Sequence, residues 1–330
     1  MNILITGGAG FLGQQLIRTL LARGTLEMDG VEHPISRIVC FDQVEGALVD
    51  PRVANVAGSI ADPATVSSLV DRETRAVVHL AAVVSGTAEA DFDLGMRVNL
   101  DGTRHLLDAC RASGTRPRLL FSSSIAVFGG DLPPVVDDAT TPTPQGSYGV
   151  QKLIGELLVQ DFSRKGFVDG RSVRVPTVVV RPGLPNGAAS GFASGIIREP
   201  LSGIEAVLPV DPGTEMWIAS PRTVVRMFLH ALALPESAWG WNRSLNLPGL
   251  VASMRDEMAA LRAVGGEAAV ALIREEPDAA VRRLVSTWAA RFDTSRARSM
   301  GFTADADFES IVRAYVEDNP DAVRVASRSH

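Results

Sequence analysis

The feature that most constrains the fold is a glycine-rich turn set directly after the first apolar run. Ile3-Leu4-Ile5 is followed by Thr6-Gly7-Gly8-Ala9-Gly10-Phe11-Leu12-Gly13, and a helical pattern then covers residues 11–22. Such a strand, turn and helix form one unit of an alternating α/β chain. The alternation continues, with strands expected at 37–41, 76–80, 118–121 and 173–180, and helices at 63–72, 92–112 and 147–165. Ala76-Val77-Val78 and Val178-Val179-Val180 are unbroken apolar runs, as in strands covered on both faces. The expectation is an α/β, Rossmann-type doubly wound parallel sheet with a smaller, irregular C-terminal substrate domain. A polar insertion, residues 25–36, separates the first helix from the second strand.

After Arg181-Pro182-Gly183 the character changes, as Gly and Pro recur through Gly213 and the alternation lapses. The boundary is therefore drawn there: 1–183 as the dinucleotide-binding domain and 184–330 as the substrate-binding region, with some later segments free to return to the sheet. Helical patterns resume at 222–234, 251–264, 277–290 and 307–316.

The glycines have a physical purpose. The chain must turn sharply, bring its backbone close to a pyrophosphate, and present a helix N-terminus to negative charge. Asp42 ends the second strand, where a carboxylate accepts hydrogen bonds from ribose hydroxyls and repels a 2′-phosphate, so NAD is expected over NADP. The insertion accounts for the long gap between Gly13 and Asp42.

The chain has two tyrosines and two lysines, and one of each forms Tyr148-x-x-x-Lys152. Chance would set a lysine four residues after a tyrosine in roughly one such chain in a hundred. That spacing puts both side chains on one helix face. A phenol with a pKa of about 10 beside an ammonium is drawn toward phenolate, a usable base for a substrate hydroxyl. Upstream, Ser122-Ser123-Ser124 ends a strand, where a serine hydroxyl can orient the same oxygen.

Composition narrows the rest. Of 330 residues, 46% are hydrophobic and 21% charged, which excludes disordered and fibrous classes, and a net charge of −6 argues against a nucleic-acid partner. Five scattered histidines and two cysteines, Cys40 and Cys110, show no metal-ligand spacing, so no metal is expected. No apolar run approaches the ~18 residues of a membrane span, and the N-terminus lacks the marks of a signal peptide. A soluble, cytoplasmic protein without a membrane partner is expected.

These motifs together resemble the extended short-chain dehydrogenase/reductase family, the NAD-dependent epimerases and dehydratases. Carrying the resemblance are residues 6–13, His79-Leu80-Ala81-Ala82, Asn99-x-x-Gly102-Thr103, Ser122-Ser123-Ser124-x-x-Val127-x-Gly129, Tyr148-x-x-x-Lys152, Arg181-Pro182-Gly183 and Arg296-Ala297-x-x-x-Gly301-Phe302, which span the chain. The resemblance implies an oxidoreductase in which Ser124 orients the substrate, Tyr148 is the base, and Lys152 binds the nicotinamide ribose and lowers the tyrosine pKa. It further implies NAD contacts from Gly7, Gly10, Phe11, Leu12, Gly13 and Asp42, then Ser59, Ile60, Leu80, Ala81 and Ala82, and finally Asn99, Ser122 and Pro182, besides Tyr148 and Lys152. A homodimer through a four-helix interface, near 92–112 and 147–165, is implied as well.

Departures from the nucleotide-sugar enzymes are Leu184 after Arg-Pro-Gly, where they carry Asn, and Ser220-Pro221-Arg222, where they carry an aspartate pair. Ser59 also replaces an Asp common in relatives. Four segments resemble the D-erythronate dehydrogenase branch: Val83-Val84-Ser85-Gly86-x-Ala88-Glu89-x-Asp91-Phe92, Gly166-Phe167-Val168-Asp169-Gly170-Arg171, Arg181-Pro182-Gly183-x-Pro185-Asn186 and Ile196-Ile197-Arg198-Glu199-Pro200. That branch implies oxidation at C2 of a four-carbon sugar acid, D-erythronate to 2-oxo-D-erythronate. A carboxylate substrate calls for a guanidinium. Arg174, Arg181, Arg198 and Arg222 lie near or beyond the last strand, with Arg198 and Arg222 the favoured pair. Ser85 and Asn186 are further candidates, for the sugar-acid hydroxyls. A nucleotide-sugar epimerase or dehydratase with retained NAD stays open, as does an NAD-sensing protein on the same fold.

Overall fold

The alternation forms a parallel sheet whose order, among the described residues, is Ser244–Asn246, Asp169–Val175, Arg118–Ser124, Thr74–His79, Asn2–Thr6, Arg37–Asp42 and Val53–Ala57. The first strand lies inside the sheet, pairing Ile5 with Cys40 on one side and with Val78 on the other. From it the chain runs outward in one direction, then returns to build in the other. The order thus reverses beside Asn2–Thr6, where an α/β sheet opens a ligand crevice at the C-terminal strand ends. Ile3, Leu4, Ile5, Ala76, Val77 and Val78 are all fully buried, as strands covered on both faces require.

This computed structural model describes residues 1–183 and 188–324. The chain divides into two units, each assembled from three stretches. Met1–Val127, Pro144–Val175 and Val225–Leu247 make the first; Phe128–Thr143, Pro176–Val224 and the chain from Pro248 onward make the second. The sequence reading placed one changeover after Gly183 and left some later segments free to return to the sheet. Short edge strands such as Ser244–Asn246 carry too little apolar pattern to announce a return to the sheet.

Three local differences from the expected elements stand out. The insertion is an antiparallel hairpin, Thr25–Met28 with Val31–Pro34, turning through Asp29 (φ 56°) and Gly30 (φ 75°). Two successive positive φ values suit the twist of a tight hairpin. The expected strand 173–180 is two strands: Asp169–Val175 pairs in the large sheet, and Thr177–Val178 pairs with Glu215–Ala219 in the second unit. Pro176, which has no N–H to donate, separates them. The expected helix 92–112 is Phe92–Gly95, a π-helical turn Met96–Asp101, and Gly102–Ser113, preceded by a short helix Ser85–Ala90.

The second unit has its own core. Helices Gly191–Leu201, Met254–Val270 and Phe308–Asp318 contribute Ile196, Ile197, Leu201, Met254, Leu261, Ile311 and Val312 to one apolar cluster. Ser253 with Asp256, and Asp307 with Ser310, form reciprocal capping boxes that start two of these helices. No helix among the described residues is long and apolar enough to cross a membrane.

A buried ionic cluster ties the large sheet to the end of the helix Pro221–Ala233. Asp169 accepts from Arg118 Nε (2.9 Å) and Arg171 Nη2 (2.5 Å). Arg171, fully buried, donates to the carbonyls of Ala231 (2.5 Å) and Leu234 (2.8 Å), and Arg118 donates to that of Leu232 (2.8 Å). Cations thereby meet the orphan carbonyls of a helix C-terminus. Burial pushes the Asp169 carboxyl upward, but Arg171 and Arg118 outweigh it and hold the group below the ordinary aspartate value. Asp169→Asn leaves these guanidinium groups without their anion, and an expected loss of about 3–5 kcal/mol follows. Because the folded-state pKa is depressed, this stabilisation is complete above the unfolded value and fades as pH falls through the folded one. Urea unfolding should show the variant's deficit at pH 7 and its shrinkage below about pH 4.

Candidate active site

The glycine turn is shaped by close backbone approach. Gly7 has φ 72°, and a Cβ there would lie 2.7 Å from the Ala81 amide nitrogen; one on Gly13 would lie 2.4 Å from the Gly7 carbonyl oxygen. Leu80 and Ala81 donate to the Thr6 carbonyl (3.0 Å) and hydroxyl (3.3 Å), so the segment after Thr74–His79 lies directly beside the turn. Gly10 caps the helix Phe11–Arg23 without a side-chain hydrogen bond, leaving the helix start to an anionic group. Asp42 Oδ2 accepts from the Ala9 amide (3.1 Å) and Oδ1 from that of Gln43 (2.7 Å), which fixes the carboxylate at the rim of the turn. Substituent-free glycines, an uncapped helix start and an acid at the second strand end fit a dinucleotide. Ile60 is buried against Gly102, where a Cβ would meet it at 2.8 Å, whereas Ser59 is exposed in the turn before Pro63–Leu69.

Beneath the turn, buried His79 links two hydroxyls, at 2.7 Å to Thr6 Oγ1 through Nδ1 and at 2.9 Å to Thr103 Oγ1 through Nε2. Thr103 donates its own proton to the Asn99 carbonyl (2.6 Å), so it must receive Nε2–H, and Nδ1 accepts from Thr6. Burial, reinforced by the Lys152 charge, pushes the His79 pKa down to about 3, so the ring stays neutral.

Tyr148 and Lys152 lie on the helix Ser147–Arg164, and Ser124 ends the strand Arg118–Ser124. All three belong to the first unit. Lys152 is only 3% exposed, donates to the Ser122 carbonyl (2.8 Å), and holds its nitrogen 4.9 Å from the Phe121 ring centre and 5.5 Å from that of Tyr148. Burial pushes its ammonium down to about 8, with the Glu156 carboxylate acting the other way. Ser124 Oγ accepts from the Ala126 amide (3.1 Å), so its own proton is left for another acceptor. Ser85 begins the helix Ser85–Ala90, just after the Leu80–Ala82 segment.

Several residues outside the sequence reading shape this site. Ser123 donates to Glu156 (2.5 Å), and Glu156 takes both Nε (2.9 Å) and Nη2 (2.7 Å) of Arg174. Arg174, one of the four arginines considered for a carboxylate, is thus bound in a buried ion pair. Glu89 accepts from the Ser147 amide (2.9 Å), placing an anion at the start of the Tyr148 helix. Asn99 accepts from the Val83 amide (2.8 Å) and donates to Gln151 Oε1 (2.7 Å). Helical periodicity would have flagged Gln151, three residues after Tyr148, but only the fold supplies its partner.

The remaining expected residues lie in the second unit or outside the description. Arg198 donates to the Arg181 carbonyl (2.9 Å) and pairs with Glu199. Arg222 is exposed and paired with Asp318 (2.6 Å) and Glu317 (2.8 Å), so two carboxylates already face its guanidinium. Pro182 is half-buried, and Asn186 lies outside the described residues. No group of His, Cys, Asp or Glu that could hold a metal occurs among the described residues.

Gly149 sets how closely the helix Ser147–Arg164 meets the serine turn. A Cβ there would lie 2.1 Å from the Ala126 carbonyl oxygen and 2.9 Å from Pro144 Cβ. Gly149→Ala should push Tyr148 away from Ser124, and a displacement of this order costs up to about a hundredfold in turnover. Steady-state kinetics should show that loss in kcat, while fluorescence titration finds NAD binding within about threefold of the parent.

Comparison with known proteins adds three findings. A family model described as the NAD dependent epimerase/dehydratase family matches residues 3–239. D-erythronate dehydrogenase of Cupriavidus necator is 54% identical over 319 residues, 96% of this chain and 98% of its own, and that of Haemophilus influenzae is 42% identical over 96% and 99%. A crystal structure named as the nucleoside-diphosphate-sugar epimerase from Agrobacterium tumefaciens superposes with TM-score 0.91 at 44% identity, covering 98% of this chain and 95% of that one.

Proposed function

The chain belongs to the NAD dependent epimerase/dehydratase family and is an NAD-dependent oxidoreductase, and from that premise we propose that it oxidises the C2 hydroxyl of D-erythronate to the 2-oxo acid. The observation that carries this substrate is the 54% identity to the Cupriavidus necator D-erythronate dehydrogenase across nearly all of both chains. In this reading the first unit holds NAD through residues 7–13, Asp42 and the 80–82 segment. When bound, NAD supplies the acceptor for the hydride leaving C2.

The protein's own groups handle the proton and the orientation. Ser124, whose Oγ lone pair already accepts from Ala126, donates its proton to the substrate oxygen. Tyr148 Oη takes the hydroxyl proton, and the alcohol is oxidised by two electrons. Lys152, an ammonium below about pH 8 in this environment, favours the tyrosinate electrostatically. Ser85 and Asn186 are assigned to the remaining hydroxyls. For the carboxylate we favour Arg198 over Arg222, because Arg222 already faces two acids and Arg198 one.

One observation favours a second reading, that of a nucleotide-sugar epimerase: the name carried by the 44% identical structure. Net NADH formation with D-erythronate, and none with a UDP-hexose, separates the two. A cytoplasmic homodimer completes the proposal. Its interface would use the helices Gly102–Ser113 and Ser147–Arg164, the latter exposing Val150 and Leu157.

Two outcomes test the chemistry. Tyr148→Phe should abolish NADH formation with NAD affinity nearly intact, and Lys152→Met should move the rising limb of the kcat–pH profile up by about a unit or more, toward the ordinary tyrosine value. Retained turnover in Tyr148→Phe would overturn the base assignment. Arg198→Met should raise KM for D-erythronate roughly tenfold or more, leaving KM for NAD unchanged, whereas Arg222→Met should alter neither.

A further inference from the structure

The side chain of Gln151 has no role in the chemistry so far described, yet it is 1% exposed on the catalytic helix, between the turn of Tyr148 and the residue Lys152. Its Oε1 accepts from Asn99 Nδ2 (2.7 Å), and Asn99 also holds Val83 through both backbone groups, accepting at 2.8 Å and donating at 3.2 Å. Asn99 therefore has its amide fully engaged, and it reaches both partners from a π-helical turn, Met96–Asp101. Val83 follows the segment that donates to Thr6 beside the glycine turn, and the Asn99 carbonyl takes the proton of Thr103, which His79 links back to Thr6. Two hydrogen-bonded routes thus run from the end of the first strand to Asn99, and the bond to Gln151 carries them to the catalytic helix.

We infer that Gln151 is a positioning residue: through Asn99 it holds the Tyr148/Lys152 turn in register with the 80–83 segment that flanks the glycine turn. This rests on the reading of Tyr148 as base. Residues i and i+3 share a helix face, so a rotation about the helix axis that breaks the Asn99 bond also swings Tyr148. The other end of the side chain supports the same assignment. Gln151 Nε2 is buried with no hydrogen-bond partner among the described residues, and it lies where Gly95 has no Cβ, since one built there would be 2.5 Å away. Gly95 therefore leaves room for a long amide that makes a single bond, to Asn99. A side chain present only to fill space would not need a buried donor left unmet, which carries a desolvation cost.

The experiment compares Gln151→Leu, which keeps the volume and removes the acceptor, with Asn99→Ala, the double variant, Gly95→Ala and Tyr148→Phe. Gly95→Ala displaces the Gln151 amide without altering it and adds a good helix former, so it reads the same contact if Gln151→Leu does not fold. With D-erythronate and NAD, Gln151→Leu and Gly95→Ala should each lower kcat roughly tenfold, with KM for NAD within about twofold and the rising limb of the kcat–pH profile displaced upward. The double variant should lose no more than Asn99→Ala alone, because both changes break one bond. Unchanged kcat and pH limb in both Gln151→Leu and Gly95→Ala, multiplicative losses in the double variant, or a parallel rise in KM for NAD would each overturn the inference. An inactive Tyr148→Phe beside such a result leaves the base assignment standing, while an active Tyr148→Phe overturns that assignment whatever Gln151 does.

Discussion

An ammonium group removed from water must be compensated where it sits, and the buried Lys152 makes that demand at the centre of the first unit. Its compensation comes from four neighbours: the Ser122 carbonyl, the Phe121 and Tyr148 rings, and the Glu156 carboxylate. All four lie on the strand Arg118–Ser124 or the helix Ser147–Arg164 that crosses it. The close packing of that helix on that strand is therefore an electrostatic requirement as well as a steric one. Gly155 allows it, since a Cβ there would be 2.6 Å from the Phe121 ring, and Gly149 allows it at the serine turn.

Glu156 in turn cannot stand alone. A carboxylate 2% exposed needs its own partners, and it has the Ser123 hydroxyl and the Arg174 guanidinium, which reaches on to Asn246 (3.3 Å). The charge order from Lys152 through Glu156 to Arg174 alternates, so each buried ion stabilises the next. This is why the strand Asp169–Val175 is tied to the helix Ser147–Arg164 even though it carries none of the proposed catalytic groups. At the opposite end of the same strand, Asp169 and its arginines satisfy the carbonyls that end the helix Pro221–Ala233. One strand thus anchors two ionic systems, one beneath the site and one remote from it.

The second unit is held by different means, chiefly helix-on-helix apolar packing with capped starts. One polar group stands apart there. Glu257 is fully buried with neither carboxyl oxygen hydrogen-bonded among the described residues, and burial pushes its pKa well above the ordinary value. Asp305 takes three hydrogen bonds from Ser220 and Thr223 at the start of the helix Pro221–Ala233, an acid brought there from a distant part of the chain.

Much of this was legible in one dimension. Glycine spacing after an apolar run, the strand–helix alternation and the Tyr148–Lys152 interval are local patterns whose physics depends on residues within a turn or two, and they determined the fold class, the NAD cofactor and the oxidoreductase chemistry. The functions of Gln151, Glu156, Gly149 and Asp169 were not legible, because each is defined by a partner tens of residues away: Asn99, Arg174, Ala126 and Arg118. The arginines show the same limit, since sequence position could nominate Arg174 and Arg222, but only packing revealed the carboxylates that face them. What the sequence settled by itself is what backbone geometry and neighbouring side chains dictate. What the tertiary structure decided is which buried charges and amides meet, because desolvation makes those pairings compulsory only once the chain has closed around them.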